Sequence, residues 1–336
     1  MSYADQVFKA MCEDILENGC DTKGELVRPH WPDGEKAYTI KKFGQVNRYD
    51  LSKEFPVITF RRTALKSCMD EILWIWQKKS SNIHDLKSHI WDEWADEEGS
   101  IGKAYGYQLG VKHAYRGIRE ETARQIFGIP DAKEIPVFSF SGDHAACSSY
   151  VRSCPELQKE HILRNDSDNT WWMDQVDRVL YDLRANPYSR RIMTSLYTYS
   201  DLSEMALYPC AYSMTFNVTR RPGCDRLVLN AVLNQRSQDV LTAGGSWNPA
   251  QYAILLMMFA QVSDMECGEL VHMIADAHIY DRHVPLVREL ITRESYPAPQ
   301  VTLDPSVKDF YAFTTEHLKV ENYQTGPQIK DIPVAI

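Results

Sequence analysis

Cys210 lies in the run Leu207-Tyr208-Pro209-Cys210-Ala211-Tyr212, and Gln235-Arg236-Ser237-Gln238-Asp239 follows it further along the chain. A cysteine that does covalent chemistry reacts as its thiolate, and a nearby guanidinium enlarges the thiolate fraction. Pro209 presets the backbone just ahead of the thiol, which suits a reactive residue at the start of a strand. A lone cysteine in such a chain is more often a buried structural one, so its neighbours must carry the argument. Glu71 is followed by Ile72-Leu73-Trp74, apolar company that predicts a partly buried carboxyl with a raised pKa, suited to moving protons. His278 and Tyr280 stand two apart in Asp276-Ala277-His278-Ile279-Tyr280, a spacing that puts both on one face of a strand.

The elements that must position these residues can be read from periodicity. Val7, Met11, Ile15 and Leu16 predict a helix over 1–20 that ends near Gly19. The stretch Gly24–Gly44 reads as a loop carrying Arg28, and Phe55–Phe60 as a short strand. Leu65, Met69, Ile72, Leu73 and Trp76 predict a helix over 65–79, and a second helix over 171–185 is closed by Asn186-Pro187. Strands are predicted at 192–197, 212–219 and 227–235, then again at Val271–Ile274 and Asp276–Tyr280. Ser246–Ser263 is the longest apolar stretch and reads as a buried helix with Trp247 and Asn248 at its start. Residues 110–168 are polar and weakly periodic, as a peripheral insertion would be. The whole predicts an α+β fold: one large domain over 1–336 on a mixed sheet flanked by helices, with an inserted small lobe at about 110–168.

Composition excludes several functions. No apolar run approaches the ~18–20 residues of a membrane span, and no signal peptide is evident at Met1-Ser2-Tyr3-Ala4-Asp5. The eight cysteines contain no CxxC pair, so neither a disulfide scaffold nor a zinc site is expected, and a reducing cytoplasm fits. A net charge of −9 argues against general nucleic-acid binding, so any phosphate must be held by a local group of arginines.

Seven motifs, in order, then resemble the thymidylate synthase family: Ile90-Trp91-Asp92-Glu93-Trp94-Ala95-Asp96-Glu97, Tyr105-Gly106, Ser189-Arg190-Arg191, Pro209-Cys210, Gln235-Arg236-Ser237, Asp276-Ala277-His278-Ile279-Tyr280 and Pro333-Val334-Ala335-Ile336. The resemblance covers nearly the whole chain except about 110–168. It implies reductive methylation of deoxyuridylate (dUMP) to thymidylate (dTMP), with 5,10-methylenetetrahydrofolate as one-carbon and hydride donor and no metal. It also implies a homodimer with shared active sites.

By that resemblance Cys210 is the nucleophile that adds to uracil C6, Glu71 manages water and protons, and Tyr105 assists removal of the C5 proton. Planar guanidiniums suit a phosphate, and Arg236 with Ser237 matches the family's phosphate contacts, Arg236 also lowering the Cys210 pKa. Arg28 matches a flexible-loop arginine, and Arg190 and Arg191 match the pair that reaches into the partner's site. Asn248 would read the base, because its amide can donate to O4 and accept from N3–H, although an asparagine there also suits a helix cap. His278 and Tyr280 are assigned to the deoxyribose hydroxyl. Trp91, Trp94, Leu207, Asp239 and Ala335 are assigned to folate, the last in a tail that closes over it.

The sequence departs from the family in several places. Ala211 stands where a histidine usually follows the nucleophile, Ala275 replaces a glycine, the Asp239–Asn248 run is one residue longer, and the Arg28 loop is extended. Two alternatives stay open: a pyrimidine deoxynucleotide hydroxymethylase, against whose cytosine form Asn248 counts, and a catalytically silent nucleotide- or RNA-binding relative.

Overall fold

A computed structural model describes the backbone of residues 1–336 and the side-chain packing of all but Gly244. The chain divides into two compact units, one made of 1–73, 210–214 and 220–336, the other of 74–209 and 215–219. Helices and mixed sheets together give the α+β class expected from sequence.

In the first unit, helix Tyr3–Asn18 is capped by Ser2, whose hydroxyl accepts from the Asp5 amide. Phe8, Met11, Cys12 and Ile15 are buried in a core shared with Val240, Leu241, Ile274 and Ile279. Gly19 ends the helix where the sequence predicts, and a Cβ there would lie 2.3 Å from the Ile15 carbonyl oxygen. The sheet is built around strand Glu266–Tyr280, which is antiparallel to Thr39–Asp50 and parallel to Val228–Gln235. Gln238–Asp239 also pairs with it in parallel, opposite Ala277 and His278. Helix Trp247–Val262 is apolar on all sides and almost wholly buried, and helix Leu65–Ile72 packs on it.

Three expectations are corrected in this unit. The predicted strand Phe55–Phe60 forms no ladder. Its backbone is satisfied by side chains: Ile58 N–H donates to Ser246 Oγ at 3.2 Å and Thr59 N–H to Asp5 Oδ1 at 2.7 Å. The apolar pattern there records burial rather than pairing, since Val57, Ile58 and Phe60 are fully enclosed. The region read as a loop to Gly44 already contains strand from Thr39, hidden by its lysines and glutamine. The two separate strands predicted near the end are one, Glu266–Tyr280.

The second unit holds a four-stranded sheet in the order His113–Tyr115, Thr170–Met173, Leu163–Asn165, Val137–Phe138. The helix predicted over 171–185 therefore begins only at Gln175, and the residues before it are strand. Alternation along that strand feeds two cores: Trp171 and Met173 join Ile118, Ile135 and Ile162, while Trp172 joins Phe138, Val151 and Leu163. The last residues of strand Ala211–Thr219 run in this unit, where Phe216 N–H donates to the Ile192 carbonyl at 2.8 Å.

Candidate active site

Cys210 immediately precedes strand Ala211–Thr219 and is half-buried. The Arg236 N–H donates to the Cys210 carbonyl at 2.9 Å, which locks the two chain segments in register. That places the Arg236 guanidinium Nη2 at 3.6 Å from Sγ, a charge-assisted contact to the sulfur. Burial pushes the thiol pKa up, while Arg236 and then Arg28 pull it down, and the net shift is upward. The arginine acts in the direction expected from sequence, but desolvation outweighs it. Ala211 is buried and adds no polar group beside the sulfur.

Glu71 is buried on helix Leu65–Ile72. Its Oε2 accepts from Trp247 Nε1 at 2.6 Å and from Gln251 Nε2 at 2.5 Å. Both donors lie on helix Trp247–Val262, one turn apart and so on the same face. Asn248 is on that first turn, half-buried, with Oδ1 accepting from Gln235 Nε2 at 3.2 Å and Nδ2 donating to Gln251 Oε1 at 3.1 Å. Its side chain thus gives one lone pair and one N–H to neighbouring amides and does not cap the helix. The sequence places Gln235 in a motif and Trp247 at a helix start without giving either a role, and Gln251 is signalled locally by its three-residue step from Asn248.

Asp239 starts a tight turn and is held by it. Oδ1 accepts from the Leu241 and Thr242 amides at 3.0 and 3.4 Å, and Oδ2 from the Thr242 hydroxyl at 2.6 Å. His283 Nδ1 stands 3.4 Å from the same carboxylate, an electrostatic contact without hydrogen-bond geometry. Burial opposes the Asp239 charge, yet His283 and Thr242 outweigh it and hold the carboxyl below its usual range. The following turn, Val240–Gly244, is a π-helix closed by Gly245 N–H to the Val240 carbonyl at 2.8 Å. A π turn takes one residue more than an α turn, which is how a longer run between Asp239 and Asn248 can be accommodated.

His278 and Tyr280 do share a neighbourhood: their rings meet edge to face at 5.0 Å, and His278 Nδ1 pairs with Asp276 Oδ1 at 2.8 Å. Arg28 is exposed, and its charge is felt by Cys210 and Tyr280. The C-terminus lies on the same loop, since His30 and Ile336 exchange both backbone hydrogen bonds at 2.9 Å. His283 Nε2 donates to the Pro333 carbonyl at 2.7 Å, a second tie on the tail that carries Ala335. Ser237 is half-buried, and its carbonyl accepts from Gln235 Nε2 at 3.0 Å.

The remaining candidates belong to the second unit. Trp91 is buried, with the Tyr105 ring at 5.0 Å and the Trp94 ring at 5.8 Å, so these three form one aromatic cluster. Tyr105 has φ +45°, a strained conformation for a non-glycine residue of the kind found at functional sites. Arg190 and Arg191 are exposed in a turn before strand Met193–Ser195, and Leu207 is half-buried. Among the described residues no group of three or more His, Cys, Asp or Glu is arranged to hold a metal, and no helix is long and apolar enough to cross a membrane.

Comparison with known proteins agrees with this geometry. The family model for thymidylate synthase matches residues 6–336. A thymidylate synthase of Bacillus subtilis subsp. natto is 33% identical over 333 residues, covering 98% of each chain. One from Bacillus licheniformis is similar to the same degree, at 33% over 333 residues and 98% of each. Among solved structures, the thermostable thymidylate synthase A from Bacillus subtilis superposes with a TM-score of 0.74 at 31% identity, covering 99% of both chains.

Proposed function

The chain belongs to the thymidylate synthase family, and we propose that it converts dUMP to dTMP with 5,10-methylenetetrahydrofolate, giving dihydrofolate, as a cytoplasmic homodimer. The observation that carries this reading is the Arg236 guanidinium 3.6 Å from the Cys210 sulfur. One cation thereby serves two tasks: it holds the substrate phosphate together with Ser237 and Arg28, and it stabilises the thiolate. Cys210 Sγ adds to uracil C6, which makes C5 nucleophilic. Folate supplies the one-carbon unit and the hydride. Asn248 reads O4 and N3–H, Glu71 moves protons at the base, and Tyr105 takes part in removing the C5 proton. His278 and Tyr280 bind the sugar hydroxyl. Trp91, Trp94, Leu207 and Asp239 hold the pterin, and Val334-Ala335-Ile336 closes the site against water. The insertion at about 110–168 is read as an accessory lobe with its own core.

The homodimer is supported by a sheet face that nothing in its own unit covers. Phe43 is 88% exposed, Val46 51% and Met273 44%, and Val46 stands directly opposite Met273 in the ladder. A contiguous apolar sheet face on a protein of this size is a natural contact between copies. Arg190 and Arg191 are then available to the partner's phosphate site. Mixing Cys210→Ala subunits with Arg190→Ala/Arg191→Ala subunits should recover part of the activity that each lacks. Heterodimers that form but stay inactive would place the arginines elsewhere.

The direct test incubates the protein with dUMP and methylenetetrahydrofolate and follows dTMP together with dihydrofolate absorbance. Equimolar products are expected, and Cys210→Ser should lower turnover by at least about a thousandfold while dUMP still binds. A hydroxymethylated product, or a serine variant within about tenfold of wild type, overturns the reading.

A further inference from the structure

A directed chain of amides runs through the first unit. His272 Nε2 meets Gln235 Oε1 at 2.7 Å, Gln235 Nε2 donates to Asn248 Oδ1 at 3.2 Å, Asn248 Nδ2 to Gln251 Oε1 at 3.1 Å, and Gln251 Nε2 to Glu71 Oε2 at 2.5 Å. The chain can point only one way. An ionised carboxylate accepts and never donates, so Glu71 forces Gln251 to present its NH2 group. Gln251 must then offer its oxygen to Asn248, Asn248 its oxygen to Gln235, and Gln235 its oxygen to His272. At the far end His272 is fully buried, and burial pushes its pKa down to about 3, so the ring is neutral with its proton on Nε2. Its Nδ1 has no partner among the described residues, as a bare acceptor would not need to donate.

The polarity has a consequence for the base. After both amide bonds are made, Asn248 keeps one N–H and one oxygen lone pair, fixed in known positions. A donor and an acceptor in that order suit uracil O4 and N3–H. Cytosine presents the opposite order, and rotating the amide to meet it would break the bonds to Gln235 and Gln251 together. An asparagine is by itself indifferent between the two orientations, so something else must choose, and a buried chain does so, held at one end by the Glu71 carboxylate and at the other by the Ser237 carbonyl, which accepts from Gln235 Nε2 at 3.0 Å. Ala211 contributes no polar group that would take this part.

We propose that Gln251 is a positioning residue for base selection: it transmits the acceptor character of Glu71 to the Asn248 amide and so commits the site to uracil. The proposal rests on the base-reading role assigned to Asn248 above. The other titratable groups that sense Glu71, Cys68 and Tyr252, are held protonated by burial and do not disturb the direction of the chain.

Equilibrium binding of dUMP and dCMP, with kcat/KM for dUMP, tests it in the full-length protein. Gln251→Leu should lower the dUMP-over-dCMP preference by about threefold to tenfold, since the Asn248 amide loses one of its two holds and keeps only Gln235. Gln251→Lys makes the sharper test, because an ammonium only donates: it pairs with Glu71 and offers Asn248 nothing but N–H, which draws the Asn248 oxygen towards it and should lower the preference further than leucine does. Gln251→Glu is its counterpart: its carboxyl oxygen still accepts from Asn248, and the preference should persist. A leucine variant with the wild-type ratio, or a lysine variant that keeps the preference while the glutamate variant loses it, overturns the proposal, and the second holds even if the leucine variant does not fold. A wild-type protein that neither binds nor converts dUMP would instead refute the function itself.

Discussion

The two units bury polar groups by opposite means. In the first, neutral amides run in series to one carboxylate, Glu71. In the second, the buried groups are charges: Lys79 bonds Asp174, stands 3.7 Å from Asp177, and Asp177 in turn meets His161 Nδ1 at 3.0 Å. Amides carry a direction and hold it over a wide pH range, which is what reading a base requires. A charge cluster carries little direction but ties segments together strongly once desolvated, and it answers to pH. Lys112, also buried, reaches the Glu160 carbonyl at 2.6 Å, and burial lowers its pKa. Asp174 additionally caps helix Gln175–Ala185, so the cluster anchors that helix to the chain that carries Lys79. On the proposed reading the first network serves recognition, while the second ties segments of a lobe together.

The largest effect should come from cutting the charge cluster. Burial works against the Lys79 charge, but Asp174 and Asp177 more than restore it and raise its pKa. Asp174 is itself raised by burial and by Asp177, despite Lys79. Lys79→Met leaves two enclosed carboxylates without this cation and should cost about 3–5 kcal/mol. Part of that loss should return on acidification, since a protonated Asp174 no longer needs the lysine. Urea midpoints of wild type and variant near neutrality and in mild acid measure both. A neutral-pH loss below about 1 kcal/mol would show that the cluster behaves like an exposed pair.

How much of each network could be read from sequence follows from how local it is. Cys210, Arg236 and the buried helix from Trp247 were legible because apolar runs and family motifs are contiguous in the chain. The amide chain was not, as its members come from four elements and only Asn248 and Gln251 stand one helical turn apart. Strand Thr39–Asp50 has no counterpart among the predicted strands, because its lysines and glutamine hide it from any apolar pattern. The strand at Thr170–Met173 was read as helix because Trp171 and Trp172 are buried on both faces, which erases the alternation that marks a strand. In the stretch 110–168, short strands alternate with polar turns, and their cores form only when segments far apart in sequence meet.

A smaller effect is expected where an amide chain loses one of two donors. Trp247→Phe removes the indole N–H from Glu71 Oε2 but leaves Gln251 in place. The expected loss is about 1–2 kcal/mol of stability, below that of Lys79→Met, because the carboxylate remains hydrogen-bonded. The preference for dUMP over dCMP should survive, since the direction of the chain is unchanged. Losing the preference in this variant would mean that packing of the first helical turn, rather than amide polarity, reads the base. Binding of the two nucleotides to the variant decides between them.

The smallest effect concerns the edge of the charge cluster. His161 stacks on Phe127 with ring centroids 5.3 Å apart and pairs with Asp177. Burial disfavours its charge, but the Asp177 carboxylate outweighs burial and raises the histidine pKa above its ordinary value near 6.5. A group whose folded pKa is raised stabilises the fold fully below the unfolded pKa and loses that contribution as pH climbs through the folded one. Stability from this pair should therefore be complete below about pH 6.5 and fade above it. The ring is 38% exposed, so water screens the pair and the change should stay under about 1 kcal/mol. His161→Gln keeps a hydrogen-bond donor for Asp177 without a titrating charge and should flatten this part of the stability profile. Urea midpoints are compared at a fixed protein concentration across the pH series. Equal slopes in variant and wild type would show that Asp177 is neutralised by Lys79 alone, and that the histidine only packs.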